Sequence, residues 1–377
     1  MPLRRVFVLG LVSLFLSFGR PAFAVRLIPW GVGERSGAPD VFVDLHGFAE
    51  MSYTKLPTED DPLGRGTFDV PAFYLLPSAV LNDKFAANAE IEFEHAASTI
   101  KLDRAWIQYT PLKDKGALAI LAGRTYVPFI HEIEFYQAPL RLMVDRPLAA
   151  QEIGFDEFQD IGIRAMGTVA TAKNVAVHYD VGVYNGTKIS RNFDPNLSES
   201  DDLRDVNNDK MVAGRFGVNF LQGKIKVGVG GFYDPNWMPT DGFGSPASGP
   251  AIKPHEKLAS FGGDGYFDAL WKEILLRGEL FQRSTQMGGG QKALGTGFYT
   301  QLGYGWRPKG KLPVEMIRPV VQYDAFHTDE ESQHRTAFGI VVFPLDYLQV
   351  KAEWEINKGS GEDTNYHGLL TSVVAEF

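Results

Sequence analysis

The stretch LQVKAEWEIN, Leu348–Asn357, decides the fold. Leu348, Val350, Ala352, Trp354 and Ile356 alternate without a break with Gln349, Lys351, Glu353, Glu355 and Asn357. A period of two belongs to a β-strand, whose successive side chains point to opposite faces. One face is wholly apolar and the other is polar and densely charged. The same division recurs along the chain. Asn88, Glu90, Glu92 and Glu94 oppose Ala87, Ala89, Ile91 and Phe93, and Val175, Val177, Tyr179, Val181 and Val183 oppose Ala176, His178, Asp180 and Gly182. The final LLTSVVAEF, Leu369–Phe377, alternates to its last residue.

Outward from that stretch, about sixteen strands follow. They lie near 41–57, 68–82, 84–98, 101–112, 115–128, 159–170, 174–187, 210–221, 223–235, 257–271, 272–286, 293–308, 314–327, 333–343, 347–360 and 365–377. Their connections alternate in length. Tight turns such as Asn82-Asp83, TAKN (171–174), LQGK (221–224) and PLDY (344–347) alternate with long segments at 58–67, 129–158, 188–209 and 236–256; Thr99-Ile100 is a short exception among the latter. No run of 18 apolar residues follows the N-terminal segment, so a membrane-spanning helix is not expected there. Lipid tolerates no unpaired backbone, which leaves a closed barrel as the membrane form of such a chain. An even strand count, with long loops at one end and short turns at the other, is the pattern of an outer-membrane barrel with both termini on the short-turn, periplasmic side. A soluble β-sandwich accounts less well for uncharged strand faces and asymmetric loops together. Tyr109, Tyr126, Trp271, Tyr347 and Phe377 fall at strand ends, where interfacial aromatic girdles belong. Pro77 and Pro319 fall inside strands and are expected at bulges or boundaries, since proline cannot donate to a ladder.

The N-terminus agrees with an envelope location. MPLRR is basic, Val6–Phe18 is an uncharged apolar run, and Ala22-Phe23-Ala24 is an A-x-A site, so residues 1–24 read as a secretory signal peptide. Residues 25–40 then form a periplasmic N-terminal segment and 41–377 the barrel. Loss of Arg4, Arg5 and Arg20 with the signal leaves the chain more acidic than the −9 of the full sequence. An acidic chain argues against nucleic acid as a partner. There is no cysteine, which excludes disulfides and thiolate metal sites.

The stretches LAGRTYVPF (121–129), QDIGIRAMGTV (159–169) and VHYDVGVYNGT (177–187), with the long segment between the first two, resemble Gram-negative outer-membrane porins, and more narrowly the phosphate-selective porin-like families. The resemblance covers 41–377. It implies an all-β transmembrane antiparallel barrel, a passive channel for small hydrophilic solutes or ions, a homotrimer, and a loop after strand 5 that folds inward and constricts the lumen. Here that loop, 130–158, is about 29 residues long and carries Ile130, Ile133, Phe135, Tyr136, Leu140, Leu142, Met143 and Val144. Phe377 resembles the C-terminal signal read by the outer-membrane assembly machinery, and Ala375 departs from that signal's usual bulky residue.

Inward charges select solutes in a water-filled pore. The inward set expected from alternation includes Glu90, Glu92, Glu94, Arg104, Arg124, Asp160, Arg164, Asp180, Arg215, Arg277, Glu279, Arg283, Arg318, Asp324, Lys351, Glu353 and Glu355. Arg104, Arg124 and Arg164 form a candidate wall cluster. They would face a constriction of Arg141, Arg146, Glu132, Glu134, Asp145 and Asp156, in contrast to the inward arginine ladder of the phosphate-selective families. The opposite reading pairs these charges off structurally. HEIE (131–134) lacks the second histidine of a zinc motif. Asp205, Asn207 and Asp209 are spaced like calcium ligands, but Lys210 stands where an EF-hand needs glycine, which leaves at most a weak surface calcium or lipopolysaccharide-bridging site. No cofactor is implied. An outer-membrane scaffold barrel and a barrel enzyme are the functional alternatives; no Ser-His-Asp set can be placed together from the sequence.

Overall fold

The alternation is built as the sequence predicts. The structure, a computed structural model, describes residues 41–55, 66–81, 84–95, 99–112, 116–153, 158–186, 209–235, 259–286, 292–309, 313–329, 331–360 and 365–377. The expected signal peptide, the 25–40 segment, Asp156 and the 205–207 part of the calcium-like stretch lie outside them. Sixteen strands are present: β1 (Val41–Lys55), β2 (Thr67–Leu81), β3 (Phe85–Glu94), β4 (Thr99–Tyr109), β5 (Ala119–Tyr126), β6 (Gln159–Ala172), β7 (Val175–Tyr184), β8 (Met211–Phe220), β9 (Ile225–Asp234), β10 (Ser260–Trp271), β11 (Ile274–Gln286), β12 (Lys292–Tyr304), β13 (Met316–His327), β14 (Ser332–Leu345), β15 (Leu348–Gly359) and β16 (Tyr366–Glu376). Each pairs antiparallel with its sequence neighbours, and β16 pairs with β1 to close the barrel. Closure satisfies both edges of every strand. It extends to the end of the chain, where Phe377 and Gly47 exchange both backbone hydrogen bonds at 3.0 Å and the Phe377 ring stacks on Phe73. A Cβ on Gly47 would lie 2.6 Å from the Phe377 ring, so the closing residue needs a glycine opposite it.

The two faces differ as a membrane barrel requires. Ile107, Ile163, Val181, Phe216, Val229, Leu280, Leu302, Phe338 and Trp354 stand exposed on outward rows. An apolar belt of this extent is unstable in water and stable against hydrocarbon. Glu90, Arg164, Asp180, Arg215, Arg277, Glu279, Asp324, Arg335, Lys351 and Glu353 are buried on inward rows.

Neither proline sits at a bulge. The β2–β3 ladder skips Leu76 and Pro77 and resumes in unchanged register, from Leu75↔Ile91 to Ser78↔Asn88. The β12–β13 ladder ends at Gly303↔Val320, short of Pro319, and one bridge beyond it, Trp306↔Ile317, keeps the same register. A missing N–H therefore interrupts pairing locally without inserting a residue. Register shifts occur elsewhere, including one opposite Glu90/Ile91 that leaves Asp103 unpaired beside Arg104. Of the expected girdle aromatics, Trp271 is exposed, but Tyr126 is buried within the barrel, so it belongs to the interior.

Candidate functional site

Among its described residues, the connection from β5 to β6 (127–158) carries two short helices, α1 (His131–Phe135) and α2 (Leu148–Glu152). Its side chains and backbone meet inward groups of β1, β6, β8, β10, β11, β14 and β15. Contacts with strands all around a closed barrel put the described part of this segment among the inward side chains.

Apolar packing fixes one flank. Ile130, Ile133, Leu148, Ala149 and Ile153 are buried with Tyr184, Met211, Phe232, Phe281, Tyr299 and Phe326. Leu142 and Met143 are buried with Leu275, Val320, Ala337 and Val341. Each large side chain so removed from water contributes roughly 1.5–3 kcal/mol, whereas a buried ion pair is close to neutral against its desolvation cost. These clusters therefore dominate docking of the segment, and the charges set its register. Wall glycines admit the close approach: a Cβ at Gly297 would lie 2.6 Å from the Ala149 Cβ, and one at Gly339 would lie 2.8 Å from the Met143 Sδ. Ile130 enters α1 at φ 61°, a backbone region costly for a β-branched residue.

Wall side chains clasp the segment's backbone. The His131 N–H donates to Glu279 Oε1 at 2.5 Å and the Glu132 N–H to Oε2 at 3.0 Å, so a carboxylate from β11 caps α1, which has no local cap. The Val144 and Asp145 N–H groups donate to Glu353 Oε2 at 2.8 and 3.2 Å. Lys351 Nζ donates to the Ala138 carbonyl at 2.6 Å and the Arg141 carbonyl at 2.8 Å. Arg335 donates to the Arg146 carbonyl and pairs with Asp145 at 2.9 Å, Glu355 at 3.0 Å and Asp324 at 3.2 Å.

Most of the predicted site residues meet here. Glu134 pairs with Arg164, and with Arg215 at 2.5 Å; Arg164 also holds Asp180, its Nε 2.6 Å from Oδ1. Burial pushes the Glu134 carboxyl up, but Arg164 and Arg215 outweigh it and hold it below the usual carboxylate range. Arg146 pairs with Glu132 at 3.2 Å and Arg141 with Glu50 at 3.4 Å. Arg104 pairs with Glu90, lies 3.7 Å from Asp103, and stacks 4.1 Å above the Tyr126 ring.

Arg124 does not join them. It is paired with Ala105 and Ile161, in the row that carries Ile107 and Ile163 outward, and it donates to the Leu102 carbonyl at 3.3 Å. Two residues from the end of its strand, its long side chain can reach the polar boundary. Alternation missed Arg335, Glu50, Asp103, Asp264 and Lys226 as inward charges.

Beside the segment a cavity of about 650 Å³ opens between β4–β11 and the face of α1. His131 lines it, stacked on Tyr266 at 3.9 Å with an interplanar angle of 3°. Burial, then the positive charges of Arg215, Lys226 and Arg277, push the His131 imidazole well below its ordinary value, so it is neutral at pH 7.

With this geometry established, solved structures supply the comparison. An anion-selective porin from Comamonas acidovorans matches with TM-score 0.59 at 12% identity, covering 90% of this chain and 100% of that one. The outer membrane channel DcaP of Acinetobacter baumannii matches with TM-score 0.57 at 10% identity, covering 92% and 99%. OmpT, an outer membrane protein of Vibrio cholerae, matches with TM-score 0.57 at 9% identity, covering 92% and 100%. At these identities the likeness establishes the fold, a sixteen-stranded barrel of the porin type. No family model and no curated protein matches the sequence.

Proposed function

We propose that this chain is an outer-membrane porin, a non-enzymatic passive channel for small hydrophilic solutes or ions, narrowed by the β5–β6 segment. The observation that carries the reading is a closed sixteen-stranded barrel with an apolar belt outside, ionisable side chains inside, and an open cavity of about 650 Å³ beside that segment. Sixteen strands leave an aqueous lumen where eight would be filled by side chains. The proteins with this fold described as porins and channels agree with it. Arg104, Arg164, Arg141 and Arg146 with Glu132, Glu134 and Asp145 form the proposed constriction, and Asp156 completes it by sequence. Each described arginine in that set has an acidic partner, which favours a mixed-charge diffusion pore over the unopposed arginine ladder of a phosphate-selective one. The proposed assembly is a homotrimer in outer-membrane lipid and lipopolysaccharide, a reading supported by a trimer form among the matched structures. Phe377 is its proposed signal to the assembly machinery.

The test is single-channel recording of refolded protein in a planar bilayer under a KCl gradient. Steady conductance of porin size is expected. A folded, heat-modifiable barrel without conductance overturns the channel and leaves the scaffold or barrel-enzyme reading.

A further inference from the structure

The cavity beside α1 has a composition that size filtering does not require. Phe135 and Leu140 of the segment are 38% and 63% exposed where Ile130, Ile133, Leu142 and Met143 are buried, and both line this cavity. The facing wall carries a lateral row: Asp268 of β10 lies directly opposite Lys226 of β9 on one side and Arg277 of β11 on the other. Asp268 accepts the Tyr136 hydroxyl at 2.7 Å and stands 4.0 Å from Arg277. Among the described residues Lys226 has no ion-pair partner, and the cavity's other acid, Asp180, is held by Arg164. Two cations thus flank one acid, which is already engaged.

Unused donors point the same way. Arg215 and Arg277 are 3% and 7% exposed, and Arg215 Nε and Nη2 and Arg277 Nε have no hydrogen-bond partner among the described residues. Nδ1 of the buried His131 has none either. Buried donors ordinarily find acceptors. A cleft with an apolar wall and a few convergent donors of one sign is built for an amphiphilic solute rather than for water alone.

We propose that this cavity is a binding subsite for small organic anions with an apolar body. The carboxylate lies against Lys226 and Arg277, and an aromatic or branched hydrocarbon lies on Phe135 and Leu140. The inference rests on the channel reading for its physiological sense, but binding can be measured apart from conduction.

The experiment is saturation-transfer NMR and calorimetry on the refolded barrel in detergent with three probes: benzoate, its neutral isostere benzamide, and acetate, which lacks the body. Benzoate is expected to bind about tenfold more tightly than either control, the scale of one charge-assisted hydrogen bond against benzamide and of a small buried apolar body against acetate. Lys226→Gln is expected to lower benzoate affinity about tenfold, and Leu140→Ser, at an exposed position, to lower benzoate but not acetate binding. Equal binding of benzoate and benzamide, or an unchanged benzoate affinity in folded Lys226→Gln, overturns the subsite. Wild-type conductance without a benzoate preference sinks the subsite alone; benzoate binding without conductance keeps the subsite and sinks the channel.

Discussion

Replacing Glu279 with alanine tests whether a wall carboxylate positions the segment. Glu279 is 2% exposed and receives the N–H groups of His131 and Glu132, at 2.5 and 3.0 Å. Leaving a buried N–H without its acceptor costs roughly 1–3 kcal/mol, so orphaning two costs roughly 2–6 kcal/mol. A water entering the space left by the side chain restores part of this. A net loss of about 3 kcal/mol, within that range, corresponds to about a hundredfold change in the equilibrium for opening the first turn of α1. The segment as a whole stays docked, because Ile130, Ile133 and Ile153 remain in their cluster. The assay is amide hydrogen exchange by NMR in micelles, which reads local opening directly. His131 and Glu132 amides are expected to exchange about a hundredfold faster in Glu279→Ala, with β3 amides unchanged. Glu279→Gln keeps one acceptor oxygen and falls between. Unchanged exchange at both amides in folded Glu279→Ala refutes the clasp.

Three further outcomes follow from the same geometry. Removing Arg141 and Arg146 by alanine substitution strips Glu50 and Glu132 of their partners, so the reversal potential under a KCl gradient is expected to shift toward cation preference; an unmoved potential contradicts the placement. Gly297→Val puts a Cβ where 2.6 Å separates it from Ala149, so α2 is expected to be displaced at a cost of roughly 1–3 kcal/mol and single-channel conductance to change, while the barrel keeps its heat-modifiable mobility. Because the neutral imidazole of His131 is favoured in the docked segment, its stabilisation is complete above the ordinary value of 6.5 and declines as pH falls below it; Glu134, held below 4.5, loses its contribution only at lower pH. Current noise is therefore expected to rise between pH 6.5 and 5 in the native protein and not in His131→Phe.

The sequence revealed the strands because most outward rows are apolar and most inward rows charged. Where that contrast fades, placement fails. On β14 the inward residues Ala337 and Val341 are as apolar as the outward Phe338 and Ile340, so nothing in the pattern singles out Arg335, which is fully buried and holds three carboxylates. On β5 polarity misleads: Leu121 is buried inside and Arg124 lies on the outward row. The apolar content of the long segment did signal burial, and Ile130, Ile133, Leu142 and Met143 are buried. Phe135 and Leu140, equally apolar, face the cavity instead, because exposure within a lumen depends on what the opposite wall provides.

On the proposed channel reading, position and selectivity are carried by different groups. Glu279, Glu353 and Lys351 grip backbone N–H and carbonyl groups, and Arg335 grips both a backbone carbonyl and Asp145. Backbone groups are present whatever side chain a position bears, so a grip on them tolerates substitution in the segment. The side chains that face open space, Phe135 and Leu140, make none of these bonds. Exchanging them alters what the cavity meets and leaves the clasp intact. Leu140→Arg, for example, adds a cation beside Lys226 and Arg277 without removing a docking contact to Glu279 or Glu353. Its expected result is stronger anion preference, read as the reversal potential, with His131 and Glu132 amide exchange unchanged. A loss of protection at those amides would show that positioning and selectivity are not separable here.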